Sequence, residues 1–124
     1  MKTILYIHAL LEVIGGVAFY VAPQYILLND IDQSALFMTK IYGIMAVIFG
    51  LVSLEIARSW EHIGLYKRIF LIIMGFHLLL GFCCFGFYKA DAISIGGTVT
   101  HIGMCLAMVA MYFVDLPKFD EVTS

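Results

Sequence analysis

Charge is what this chain has least of, and positive charge above all. Only 13% of its 124 residues are Asp, Glu, Lys or Arg, with 7 Lys and Arg against 9 Asp and Glu. An ordinary soluble domain is about one-quarter charged, so a cytosolic globular domain and a disordered chain are both excluded. No basic excess exists to neutralise phosphates, which excludes a nucleic-acid partner. Cysteine is sparse as well. Cys83, Cys84 and Cys105 are an odd count without a CxxC pair, so neither a zinc knuckle nor a redox dithiol is encoded. They read as small packing residues, with neighbouring Cys83 and Cys84 on different helix faces. The sequence also lacks a phosphate-binding glycine loop, an HExxH pair, a nucleophile elbow and a Ser-His-Asp order. The one enzymatic reading left is a membrane isomerase using Glu12 and a histidine as an acid–base pair.

What is present is apolar: 63% of residues are hydrophobic and the mean hydropathy is +1.01. About 20 apolar residues cross a bilayer, so four spans fill the chain and leave no separate soluble domain. The runs place them at about 4–22, 35–57, 69–88 and 93–114. The first run imitates a signal peptide, but Tyr20 takes the third position before a cut at Ala22, Pro23 follows it, and Glu12 interrupts the core. It reads as a retained transmembrane helix. Between the spans lie a polar connector with Asn29, Asp30 and Asp32, a loop with Arg58, Trp60, Glu61, His62, Lys67 and Arg68, and a tight turn at Lys89, Ala90 and Asp91. Asp115, Pro117, Lys118, Asp120 and Glu121 read as a short, soluble, acidic tail. Trp60 and Tyr66 suit an interfacial aromatic belt.

Lipid offers the backbone no hydrogen bonds, so helices are the architecture that fits. Short connections make successive helices antiparallel, which predicts an all-α, up-down-up-down four-helix bundle in a membrane. Lys2, Arg58, Lys67, Arg68 and Lys118 fall on one side, Lys40 and Lys89 on the other. That asymmetry predicts both termini in the cytoplasm. Lys40 and Glu55, near helix ends, are expected to snorkel to the interface. Glycines at 15, 16, 43, 50, 75, 81, 86, 96, 97 and 103 allow close helix approach. So small a bundle suits a homodimer or a place in a larger membrane complex.

The informative residues are ionisable ones inside the spans. A charge at mid-bilayer costs about 2.5–3.5 kcal/mol, so such a residue faces the protein interior. Glu12 lies near the middle of its span, with His8 about 6 Å toward the cytoplasm. His77 is central in the third span, and His101 sits about 4–5 Å outward of the middle of the fourth. Each belongs to a stripe at helical spacing. His8, Glu12, Gly15, Gly16 and Phe19 form one, and Thr39, Tyr42, Gly43, Ala46, Gly50 and Ser53 another. His77, Gly81, Cys84 and Tyr88 form a third; Ser94, Gly97, His101, Cys105, Met108 and Tyr112 form the fourth. Turned toward one axis, these stripes predict a pocket of Glu12, His8, His77 and His101, with Tyr42 and Tyr112 on its wall. The dull alternative is that these groups only pair with one another across helices. His62, beside Glu61 in a loop, receives no role, and Met104, Met108 and Met111 read as packing.

Burial penalises the charged form of both a carboxylic acid and an imidazole, so a Glu and a His in one pocket are placed to exchange a proton near neutral pH. The expected function is binding of a small or lipophilic ligand, with proton coupling at Glu12. The stretch Ala9-Leu10-Leu11-Glu12-Val13-Ile14-Gly15 resembles the first helix of the small multidrug resistance transporters, which are four-helix proteins with an essential membrane-embedded glutamate. On that resemblance, seven residues long, Glu12 is the shared proton and cation site. His8, His77 and His101 have no counterpart there. In size, spans and a glycine-bearing first helix ending at Pro23, the chain also resembles small DoxX-like four-helix bacterial membrane proteins. Some of these are linked to quinol oxidation, which implies a redox context. The residues themselves raise two redox or metal alternatives, to which that resemblance assigns no residue role. His77 and His101 are candidate ligands of a b-type haem, or a metal ion is held by His8, Glu12, His77 and His101, whose N and O donors suit Zn, Fe or Cu. A third is an accessory subunit whose polar residues hold helices together.

Overall fold

The computed structural model describes residues 1–26, 32–61, 64–87 and 92–122, and every regular element among them is helical. The helices are α1 (Lys2–Val21), α2 (Pro23–Ile26), α3 (Gln33–Arg58), α4 (Gly64–Phe87) and α5 (Ala92–Val122). Four of them, α1, α3, α4 and α5, are long and apolar enough to cross a membrane. At about 1.5 Å per residue, α1 with its 20 residues measures about 30 Å, the thickness of a bilayer's hydrocarbon core. Large apolar side chains stand exposed on all four, among them Leu10, Ile14, Phe37, Leu79, Phe82 and Leu106. In water such surfaces would aggregate; against lipid tails they are solvated.

Local chemistry sets the helix ends. Ala22 still donates to the Ala18 carbonyl at 2.9 Å. Pro23, with no N–H to give, then opens the turn α2 at a helix's first position. Asp32 caps α3 by accepting from the Ala35 amide at 2.7 Å. At the other end, Ser59 returns both its amide (3.1 Å) and its hydroxyl (2.8 Å) to the Glu55 carbonyl.

The chain divides into two compact units, Leu5–Ser59 and Met1–Ile4 with Trp60–Ser124. In the first, contacts climb α1 as they descend α3: His8 meets Ser53, Gly16 meets Gly43, and Phe19 meets Tyr42. The two helices therefore run antiparallel. A Cβ on Gly16 would stand 2.6 Å from the Gly43 carbonyl oxygen, and one on Gly43 would stand 2.6 Å from that of Gly16. Only glycine at both positions lets these backbones touch. In the second unit α4 and α5 are antiparallel by the same test, through Lys67 with Tyr112, His77 with His101, and Gly81 with Ile102.

Two boundaries differ from the hydropathy reading. α4 begins at Gly64, so Lys67 and Arg68 are helical rather than in a loop. α5 runs on through Pro117 to Val122, so the expected soluble tail is helix, and its Asp115 is buried. Hydropathy reports where an apolar run stops; a helix continues as long as its residues tolerate helical backbone, and Lys, Arg and Glu tolerate it well. Asp115 is held by the Met1 ammonium and by Lys118 Nζ at 2.6 Å, one turn along. Asn29, Asp30, His62 and the turn of Tyr88, Lys89, Ala90 and Asp91 lie outside the described residues, as does the side chain of Ser94.

Candidate functional site

The first unit carries an acid, a base and a hydroxyl in an otherwise apolar interior. Helical spacing turns Leu5, His8, Ala9, Glu12 and Gly16 of α1 inward, and all five are buried. On α3 the inward stripe is Gly43, Ala46, Gly50 and Ser53. Its small residues let α1 settle close. A Cβ on Gly50 would already lie 3.0 Å from the Ala9 carbonyl oxygen. That approach brings Ser53 Oγ to 2.8 Å from His8 Nδ1, while His8 Nε2 stands 3.6 Å from Glu12 Oε1. His8 and Ser53 are 0% exposed and Glu12 8%, so water does not screen this group.

The geometry assigns a consistent set of proton positions. A serine hydroxyl both donates and accepts. When it donates to Nδ1, the neutral imidazole carries its proton on Nε2, toward Glu12. When His8 is protonated, Nδ1–H donates to Ser53 instead, and Nε2–H still faces the carboxylate. Ser53 thus holds the ring in one orientation through both states. Sequence reasoning placed Ser53 on the inward stripe without a role; the signal was its depth, which antiparallel pairing matches to His8.

The second unit carries two bases on the paired faces of α4 and α5. Its inward stripes are Phe70, Ile73, His77 and Gly81 on α4, and His101, Met104, Cys105 and Met108 on α5. Ile102 occupies the space over Gly81, and Cys84 that over Gly97. His77 Nδ1 and His101 Nδ1 lie 2.9 Å apart, with ring centroids 5.1 Å apart and tilted by 31°. One proton lies between them, so when both rings are neutral they are opposite tautomers.

These distances bear on what each pair can ligate. A nitrogen sits about 2.0–2.1 Å from a bound transition metal, so two axial imidazoles on one iron stand roughly 4 Å apart and two neighbours on a tetrahedral ion roughly 3.4 Å. At 2.9 Å the Nδ1 atoms of His77 and His101 share a proton, and that distance does not bear on ligation through Nε2. His8 Nε2 and Glu12 Oε1, at 3.6 Å, are near the tetrahedral spacing and supply two of the four ligands such a site uses.

The two tyrosines fall elsewhere. Tyr42 packs edge-on against Phe19 at 5.3 Å, seven residues and about 10 Å along α1 from Glu12. Tyr112 lies under Lys67, 5.8 Å from its Nζ, and about 16 Å along α5 from His101. Of the thiols, Cys83 is exposed, Cys84 half-buried and Cys105 buried, each in its reduced form. Met104 and Met108 are buried in the α4–α5 packing.

Fold and site together define an all-helical chain with four membrane-length helices and buried acid–base groups. Comparison with family models, with curated proteins and with solved structures finds no match to it.

Proposed function

We propose that this chain is an integral protein of a bacterial inner membrane, an up-down-up-down bundle with both ends in the cytoplasm. Its function in this reading is to bind a small or lipophilic ligand at Glu12 in exchange for a proton. The observation that carries the reading is the placement of Glu12, buried in an apolar hairpin 3.6 Å from a histidine that a serine holds in orientation. A carboxylate away from water is ionised at tolerable cost only beside a positive partner. His8 supplies that partner when protonated, and a cationic ligand supplies it equally well. Ligand and proton therefore compete for one negative charge. Arrival of a cation releases the proton from His8 or from Glu12 itself, and its departure calls the proton back.

The test is proton release in weakly buffered solution, read with a pH dye while tetraphenylphosphonium is added to the purified protein. About one proton per bound cation is expected from the wild type, and none from Glu12→Gln. Cation binding without proton release, or equal release from Glu12→Gln, overturns the reading. The accessory-subunit alternative finds its support at the other pair. The His77–His101 hydrogen bond joins α4 to α5, and a joining role needs no ligand.

A further inference from the structure

The first hairpin has a second feature, well along α1 from Glu12. An apolar groove of about 310 Å³ lies between α1 and α3. Val17, Tyr20 and Val21 of α1 form one wall and Ile44, Val47 and Ile48 of α3 the other. It lies beside the Gly16–Gly43 crossing, where the backbones are in contact. Its walls are open, with Val17, Tyr20 and Ile48 each 48% exposed. Lys40 stands one turn before Ile44 on the same face of α3, about 6 Å along the axis. Its Nζ lies 5.7 Å from the ring centroid of Tyr20, and the side chain is half-buried.

We infer that this groove binds a medium-chain fatty carboxylate, with the alkyl tail between the two walls and the carboxylate on Lys40. Three features select that occupant. The walls offer carbon and almost no polar surface, which suits an alkyl tail. The volume equals roughly ten water-sized volumes of about 30 Å³, enough for one chain of about ten carbons and too little for the paired tails of a phospholipid. The charge at the groove's end is positive. A ring face attracts an ammonium only weakly, whereas a carboxylate adds a charge-assisted hydrogen bond of about twice ordinary strength. The site is independent of the reading of Glu12, because no lining residue takes part in the His8–Glu12–Ser53 group.

Native mass spectrometry of the full chain released from nanodiscs of phosphatidylcholine and phosphatidylglycerol, with decanoate and decanol as probes, tests this. One decanoate per chain is expected. Lys40→Gln weakens decanoate at least tenfold and leaves decanol unchanged, whereas Ile44→Trp, a change at an exposed wall position, removes both. Glu12→Gln leaves decanoate binding intact, which separates this site from the proton-exchange site. Equal decanoate binding by wild type and Lys40→Gln overturns the inference. So does preferential retention of phosphatidylglycerol over decanoate, which would make the groove an ordinary lipid contact.

Discussion

In the first hairpin the backbones of α1 and α3 touch at Gly16 and Gly43, whereas in the second α4 and α5 are spaced by side chains, Ile102 over Gly81 and Cys84 over Gly97. The polar groups differ in the same sense. Midway along its helices one hairpin buries a carboxylic acid, an imidazole and a hydroxyl; the other buries two imidazoles that share a proton there, its buried acid Asp115 lying well along α5 from them. An acid beside a base can hold a charge of either sign and hand it over. Two equal bases joined through one proton form a link between helices. Hairpins built from equally apolar helices are thus suited to different work, and a few small or ionisable residues make the difference.

The largest effect expected from breaking this comparison is at the glycine crossing. Gly43→Ala drives a methyl group against the Gly16 carbonyl oxygen and the Tyr20 amide nitrogen, at 2.6 and 2.9 Å. Backbone cannot yield as a side chain can, so a loss of about 3 kcal/mol is expected, at the upper end for overpacking. The matched change in the second hairpin, Gly81→Ala, meets the Ile102 side chain at 2.4 and 2.7 Å, with backbone no nearer than the Ile102 nitrogen at 3.4 Å. A rotamer change relieves it, and about 1 kcal/mol or less is expected. Thermal unfolding of the two variants in one detergent measures the contrast, and equal losses would show that both crossings are alike.

A smaller effect is expected at the histidine pair. Replacing His77 alone with Leu leaves His101 buried without its Nδ1 partner, a loss of about 1–3 kcal/mol. Replacing both with Leu should restore part of that, because no half-satisfied pair remains. A double-mutant cycle with strictly additive losses would remove the link role from this pair. The smallest change is Ser53→Ala, which leaves the buried His8 Nδ1 without its hydroxyl and costs about 1 kcal/mol, the low end of the same range. Its sharper signature is in the proposed proton exchange. With the ring no longer held at Nδ1, release on cation binding should fall in amplitude while tetraphenylphosphonium still binds. Unchanged release would assign Ser53 to packing alone.

Much of this architecture was legible in the residues. The four apolar runs located the four long helices, and the inward stripes found most of the buried positions, including Gly43, Ala46, Gly50, His77 and His101. Both are local properties: backbone hydrogen bonding within a segment, and a helical period of 3.6. Helix length was less legible, since α5 outlasts its apolar run by a full eight residues, from Val114 to Val122. Tyr42 and Tyr112 show a different limit. They share stripes with the central polar residues, but a stripe fixes a face and not a depth, and each tyrosine lies well along its helix from the nearest of those groups.

Composition and periodicity alone therefore determined that the chain is all-helical, which four segments are long and apolar enough to cross a membrane, and which face of each turns inward. Tertiary structure decided the partners: Ser53 for His8, His101 for His77, Lys118 for Asp115, and Tyr20 for Lys40. The reason is register. Periodicity within one helix says nothing about how far it slides along a neighbour. That is settled where two backbones come closest, and for α1 and α3 the meeting of Gly16 with Gly43 sets it.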